Sequence, residues 1–271
     1  MKPAAFDYIR AGSLAEATRL LMEANGTANL VAGAQSLGPM LNLRLAQPRI
    51  LIDITGIAEL KQIDDADDAV TVGACITTAN IEDGRLPGRG LQMLSAVAGN
   101  IAYRAVRNRG TIGGSLCHAD PSADWVSTLC ALGAECIIAG ANGRRLPADQ
   151  FITGAYTTAL ASDEMLEAIR IPRLSPRGRF GYYKVCRKAG EFALAIGAVL
   201  NDPERGRFRA VIGATKGRPI VVADARALQG NLGKLDESAV SRLLDKHAIA
   251  DRITRRQQVA ALTRAYDQAM K

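Results

Sequence analysis

Two short turns of small residues constrain this chain most: Ala32-Gly33-Ala34-Gln35-Ser36 and, about eighty residues later, Thr111-Ile112-Gly113-Gly114-Ser115. Each sits beside an apolar segment and joins glycine to a hydroxyl residue. Glycine reaches positive φ and lets another group approach the backbone closely. Successive N–H groups in such a turn make a concave anion site, to which Ser or Thr adds a donor. Two such turns can grip the two phosphates of a dinucleotide from both sides; either one alone is as well explained as a plain connection. The usual nucleotide signatures are missing. The chain has no G-x-G-x-x-G, no G-x-x-x-x-G-K-S/T and no G-x-S-x-G, which excludes a Rossmann fingerprint, a P-loop and a nucleophile elbow.

Around the first turn the pattern is β–α–β. Ser13-Leu-Ala-Glu16 is a capping box for a helix from Leu14 to about Asn25, closed by Gly26. Strands are expected at Asn29–Ala32 and Arg49–Ile54, with a short helical stretch to Arg44 between them. A second block, 57–172, has strand-like Val70–Ala74, Glu135–Ala139 and Met165–Ile171. Its helix-like segments are Thr77–Asp83, Leu91–Ala102 and Ala123–Leu132, the last with Ser122 as N-cap, and Arg107–Ser115 reads as a glycine turn. Arg173–Gly178 is a basic, turn-rich linker. Beyond it, strand candidates Phe180–Cys186, Phe192–Asn201, Phe208–Thr215 and Pro219–Val222 precede helices Glu237–His247 and Arg252–Met270. Strands followed by helices suggest a segregated α+β domain. The chain therefore divides at 1–56, 57–172 and 173–271.

With 271 residues, 48% of them hydrophobic, the chain can bury a real core. No apolar run reaches the length of a membrane span, and the N-terminus lacks the long apolar core of a secretory signal, so a cytoplasmic protein is expected. The net charge of +7 favours an anionic partner. Aromatics are only 4% and no basic run is interleaved with stacking residues, which argues against nucleic acid. A phosphorylated cofactor and an acidic partner subunit both fit. Five cysteines without a CxxC pair argue against a disulfide framework, a zinc ribbon or an iron–sulfur cluster held by this chain; buried free thiols are expected.

The segment Cys117-His-Ala-Asp-Pro-Ser-Ala-Asp124 invites two other readings. A Cys117 nucleophile lacks an orienting partner fixed by sequence. His118, Asp120 and Asp124 lack the further ligands a metal needs. The simpler view is that Asp120 and Ser122 shape the turn into the next helix. Asp124 then lies in its first turn, free to accept a hydrogen bond from a ligand.

The strings Val31-Ala-Gly-Ala-Gln-Ser-Leu-Gly-Pro-Met-Leu-Asn-Leu-Arg44 and Arg107-Asn-Arg-Gly-Thr-Ile-Gly-Gly-Ser-Leu-Cys-His-Ala-Asp-Pro-Ser-Ala-Asp124 resemble a known pair. In order and separation they are similar to the two FAD signatures of molybdenum hydroxylase flavin subunits, the carbon monoxide dehydrogenase and xanthine dehydrogenase family. Tyr183-Lys-Val-Cys-Arg-Lys-Ala-Gly-Glu-Phe-Ala-Leu-Ala195 matches a later stretch, and the resemblance runs over essentially the whole chain. It implies an α+β fold: a two-subdomain FAD-binding fold of the p-cresol methylhydroxylase type, then a C-terminal α+β domain with an antiparallel sheet and helices. By resemblance, Ala32, Gly33, Ala34, Gln35 and Ser36, with Thr111, Ile112, Gly113, Gly114 and Ser115, hold the pyrophosphate. Asp124 contacts a polar part of the cofactor and Leu166 lies against the flavin region. Lys184 sits near the flavin and favours its anionic reduced form. On the residues alone, Leu166 reads as core and Lys184 as a solvated strand residue. Three positions depart from the family pattern. Ala34 stands where a second glycine is usual, so its methyl crowds a phosphate if the backbone needs positive φ. Ser115 stands where Asn is frequent, and Glu191 where Asp is.

The resemblance further implies an electron-transfer oxidoreductase subunit, active only in complex and needing no acid–base residue of its own. A small partner with 2Fe-2S clusters delivers electrons to FAD, a large partner carries molybdenum and hydroxylates the substrate, and an external acceptor removes the electrons. The expected assembly is a dimer of heterotrimers. Two rival readings are a stand-alone flavin-dependent reductase or oxidase of the same fold, and a non-catalytic interaction subunit. Neither the substrate nor the acceptor is legible in this chain.

Overall fold

The computed structural model describes residues 2–87 and 91–271. Its first sheet is parallel, in the order β1-β3-β2, from β1 (Asp7–Arg10), β2 (Ala28–Val31) and β3 (Ile50–Asp53). Helix α1 (Leu14–Ala24) crosses from β1 to β2. Ser13 caps it by accepting from the Glu16 amide, while Glu16 Oε2 accepts from Gly12 N–H at 2.8 Å. Asn25, with φ 46°, takes the left-handed cap expected of Gly26. The short helix α2 (Leu37–Asn42) follows the first glycine turn. Strand β1 adds to the expected β–α–β unit: three of its four residues are exposed, so it carries no apolar alternation to read.

The second stretch holds β4 (Ile63–Asp65), β5 (Ala69–Gly73), then helices α3 (Thr78–Glu82), α4 (Met93–Gly99), α5 (Arg104–Arg107), α6 (Ile112–His118) and α7 (Asp124–Leu132). After these come β6 (Glu135–Ala139), β7 (Arg144–Pro147), α8 (Ala148–Phe151), the hairpin of β8 (Ile152–Gly154) and β9 (Thr157–Thr158), and β10 (Met165–Pro172). The antiparallel sheet runs β4-β5-β10-β6-β7. Charged residues mark both edges, Asp64 and Asp65 on β4 and Arg144 and Arg145 on β7, which blunts them against further pairing. Every residue of α7 is buried, as a helix enclosed between sheets must be.

The third sheet is antiparallel and sequential: β11 (Arg179–Val185), β12 (Ala195–Asp202), β13 (Arg207–Gly213) and β14 (Ile220–Val222). Helix α7 packs against β12 and β13 from one side. On the other side lie α9 (Glu237–Lys246) and α10 (Arg252–Ala269). Helix α10 reaches the sheet because Gly181 and Gly197 lack side chains: a Cβ there would stand 1.8 Å from Ala265 O and 2.4 Å from Ala261 O. The linker is tied down. Buried Asp202 accepts from Ser175 Oγ at 2.5 Å, Ser175 N at 3.2 Å and Arg207 Nη2 at 2.9 Å. Arg205 and Arg207 donate to Arg173 O at 2.7 and 2.9 Å.

Several expected boundaries shift. The helix expected over Leu91–Ala102 shrinks to Met93–Gly99, and the strand expected from Phe192 starts at Ala195. Ser122 is not an N-cap; that place belongs to Ala123, without a side-chain bond, while Ser122 N–H bonds Asp120 Oδ1 at 2.8 Å. Among the described residues no helix is long and apolar enough to cross a membrane.

Candidate functional site

The two glycine turns meet. A Cβ on Gly33 would lie 2.0 Å from Arg109 O and 2.9 Å from Gly110 Cα, so only glycine lets the first turn touch the backbone leading into the second. Beside this junction opens a cleft of about 730 Å³, within the range of roughly 300–1,000 Å³ usual for ligand clefts. Ala32, Gly33, Ala34, Gln35 and Ser36 line it from one side, and Thr111, Gly113, Gly114 and Ser115 from another. Ile112 is fully buried and does not line it.

Backbone hydrogen bonds separate the roles of the two turns. Among the described residues, the amides of Gly33, Ala34, Gln35, Ser36 and Leu37 make no hydrogen bond. Ala34 is left-handed, φ 58°, and a left-handed residue among successive free amides is the conformation from which backbone anion sites are made. The position that usually holds glycine does need positive φ, and here alanine carries that strain. The second segment corrects the expectation of a glycine turn: its glycines lie inside α6. Its amides are already used, Ile112 N to Ile76 O at 3.0 Å, Gly113 N to Ala74 O at 3.0 Å, Gly114 N to Thr111 Oγ1 at 3.0 Å and Ser115 N to Thr111 O at 3.1 Å. Gly113 serves packing, since a Cβ there would be 2.5 Å from Ala74 Cβ. What this segment can offer a ligand is the Ser115 hydroxyl, which like that of Ser36 has no partner among the described residues. Amides in one turn and a hydroxyl on each side are a donor set suited to an anion.

Asp124 lines the cleft but is not free, as the sequence reading had it. Lys184 Nζ lies 2.9 Å from its Oδ1, and Tyr182 OH donates to the same oxygen. Both side chains of the ion pair are 6% exposed. Burial pushes the Asp124 carboxyl above its usual range, against the opposing pull of Lys184 and Tyr182. Lys184 also donates to Asn100 O at 2.8 Å. It is neither a solvated strand residue nor a lining residue; it stands behind Asp124. Leu166 fits both of its readings, buried on β10 and at the cleft surface. Cys117 departs from the expected buried thiols: it opens on the cleft, although burial of its sulfur among neighbours pushes it up to about 12.

The structure brings further residues to the cleft. Tyr156 and Phe192 line it with 63% and 66% of their surfaces exposed. Neither belongs to a glycine signature, though Phe192 lies in the later matching stretch, and exposure of a large aromatic is invisible in sequence. His118 and Asp120, weighed above for metal, lie on the same wall. Gly190, Glu191 and Phe192, in the loop that joins β11 to β12, complete the cleft, with Gly190 held by a bridge to Ile101.

Comparison with known proteins agrees with this geometry. The family model described as FAD binding domain in molybdopterin dehydrogenase matches residues 4–174. The carbon monoxide dehydrogenase medium chain of Hydrogenophaga pseudoflava is 39% identical over 201 residues, 74% of this chain and 70% of that one. The caffeine dehydrogenase subunit beta of a Pseudomonas species is 37% identical over 206 residues, 75% of this chain and 70% of that one. Among solved structures, carbon monoxide dehydrogenase from Hydrogenophaga pseudoflava superposes with a TM-score of 0.90 at 31% identity, covering 100% of this chain and 99% of that one. Quinoline 2-oxidoreductase from Pseudomonas putida 86 gives 0.83 at 30% identity, with both chains fully covered. The chain belongs to the FAD-binding family of the molybdopterin dehydrogenases and is an FAD-carrying oxidoreductase subunit.

Proposed function

We propose that this subunit relays electrons from the iron–sulfur clusters of a small partner, through FAD, to an external acceptor, within a cytoplasmic complex whose large partner carries the molybdenum cofactor. The carrying observation is the cleft's donor set, the unbonded amides of Gly33–Leu37 with the hydroxyls of Ser36 and Ser115. Ala32–Ser36 hold the pyrophosphate through the backbone, Thr111–Ser115 through Ser115 and the close packing that Gly113 permits. Asp124 meets a polar part of the cofactor, held in place by Lys184 and Tyr182, and Leu166 contacts a ring. Bound FAD supplies one-electron and two-electron chemistry, which is what joins single-electron clusters to a two-electron acceptor. The names of the relatives, medium chain and subunit beta, support a multi-subunit setting, read here as a dimer of heterotrimers. The chain is further read as three units, 1–56, 57–172 and 173–271, each with its own sheet.

The purified chain is expected to hold about one FAD and to hydroxylate nothing. Co-purified with its iron–sulfur and molybdenum subunits, it should lose flavin absorbance when substrate is added without acceptor. Hydroxylation by the isolated chain would contradict the relay, and a stable flavin spectrum in the fully loaded complex would remove FAD from the path.

A further inference from the structure

Three left-handed, non-glycine residues line this cleft, Ala34 (φ 58°), Ala102 (46°) and Tyr156 (55°), and a fourth, Ala119 (51°), is buried between the lining residues His118 and Asp120. Such strain persists where the surroundings over-determine it, and functional sites are where it collects. Two of these residues are joined. Tyr156 N–H donates to Ala119 O at 2.9 Å, tying the β8–β9 hairpin to the end of α6. The bond anchors the Tyr156 backbone at the cleft wall, where most of the residue is exposed. The ring leans on His118, with centroids 5.2 Å apart and planes at 54°, and its hydroxyl lies 3.5 Å from Asp120 Oδ2. Burial holds His118 below its ordinary value, so it is an uncharged neighbour at neutral pH. A rigid, exposed aromatic beside a hydrogen-bond acceptor is a platform for a planar heterocycle.

FAD has two such rings. The isoalloxazine presents on its pyrimidine edge a single N–H flanked by two carbonyl oxygens and gains negative charge on reduction, both of which set it against a carboxylate such as Asp120. Adenine presents an exocyclic amine, a donor that a carboxylate accepts, and stays neutral. We propose that Tyr156, supported by His118, stacks the adenine ring while Asp120 accepts from its amine, so that this wall makes the chain take FAD in preference to FMN. The proposal rests on the FAD reading above.

Flavin-free full-length chain, titrated with FAD, with FMN and with ADP as competitor, tests it. Tyr156→Ala should weaken FAD about tenfold, the order of a lost base–aromatic stack, leave FMN unchanged and weaken ADP as a competitor by a similar factor. Tyr156→Phe should bind FAD as the unaltered chain does. The unaltered chain should also prefer FAD over its inosine analogue, in which a carbonyl replaces the amine, and Asp120→Asn should erase that preference. Equal weakening of FAD and FMN by Tyr156→Ala, or no weakening of either, would overturn the proposal. Failure of the unaltered chain to bind any flavin would instead strike the FAD reading beneath it.

Discussion

The methyl group at position 34 sits on left-handed backbone, φ 58°, inside the turn that presents unbonded amides. That conformation costs an L-residue about 1–2 kcal/mol, and glycine would give back part of the gain through its unfolded-state entropy. Ala34→Gly should therefore stabilise the flavin-free chain by roughly 0.5–1 kcal/mol in urea unfolding; an unchanged or lower midpoint would contradict the strain. Lys184 tests the buried pair. Lys184→Met keeps the aliphatic stem but strands the Asp124 carboxylate, and breaking a buried pair costs about 3–5 kcal/mol. Adding Asp124→Asn should recover most of the loss. The sign with pH follows from Asp124, whose folded pKa is raised by burial. The stability from its protonated form is complete below the ordinary aspartate value and is lost as pH rises through the folded value. Without Lys184 that folded value rises further. The single variant should lose stability from mildly acid to neutral pH and the double variant should not; parallel pH profiles for the two would mean that the lysine never shielded the carboxylate.

Helices in this protein are placed by missing side chains. Helix α6 reaches the end of β5 because Gly113 leaves room for Ala74, with Gly113 N–H bonded to Ala74 O. The damage from substituting Gly113 should thus appear before any ligand is present. Gly113→Ala is expected to lower the unfolding midpoint of the flavin-free chain by an amount worth about 1–3 kcal/mol, the usual cost of overpacking; loss of FAD at full stability would mean that the glycine faces the ligand instead. The same logic holds α10 to β11 and β12 through Gly181 and Gly197. Gly197→Ala must push Ala261 O and the helix behind it away, so a comparable loss is expected with the cleft unaltered, checked by denaturation alongside FAD titration. A large change in FAD affinity without loss of stability would break that account.

Across the whole molecule, Asp202 ties the 173–178 linker to the third sheet. Burial opposes its ionisation, but the bonds from Ser175 and Arg207 prevail and hold the carboxyl below its usual range. A lowered folded pKa means stability that is present above the ordinary aspartate value, about 3.9, and lost as pH falls through the folded one. Asp202→Ala should cost about 3 kcal/mol at neutral pH by leaving Arg207 half-buried and unpaired. Its acid unfolding should also be less steep below about pH 4 than that of the unaltered chain. Equal stabilities at neutral pH would show the linker to be held by other contacts.

Local pattern determined much of this protein. The Ser13 cap, the apolar periods of α1 and α10 and the strands around Ile52, Val72 and Ile138 all rest on residues whose neighbours in sequence suffice to specify them. Both glycine signatures were legible, because glycine beside a hydroxyl residue stands out against any background. Which glycine faces a ligand was not. Gly33 and Gly113 look alike in sequence, yet one admits the Arg109 backbone and the other admits Ala74. Amides that look equally available differ because those of α6 are consumed by Ile76, Ala74 and Thr111. Tyr156 and Phe192 reach the cleft from loops distant in sequence, and Lys184 finds Asp124 sixty positions away. Spacing along the chain fixes only short-range geometry; the partners of a hydrogen-bond donor, a charge or a missing Cβ are set by which sheets pack together.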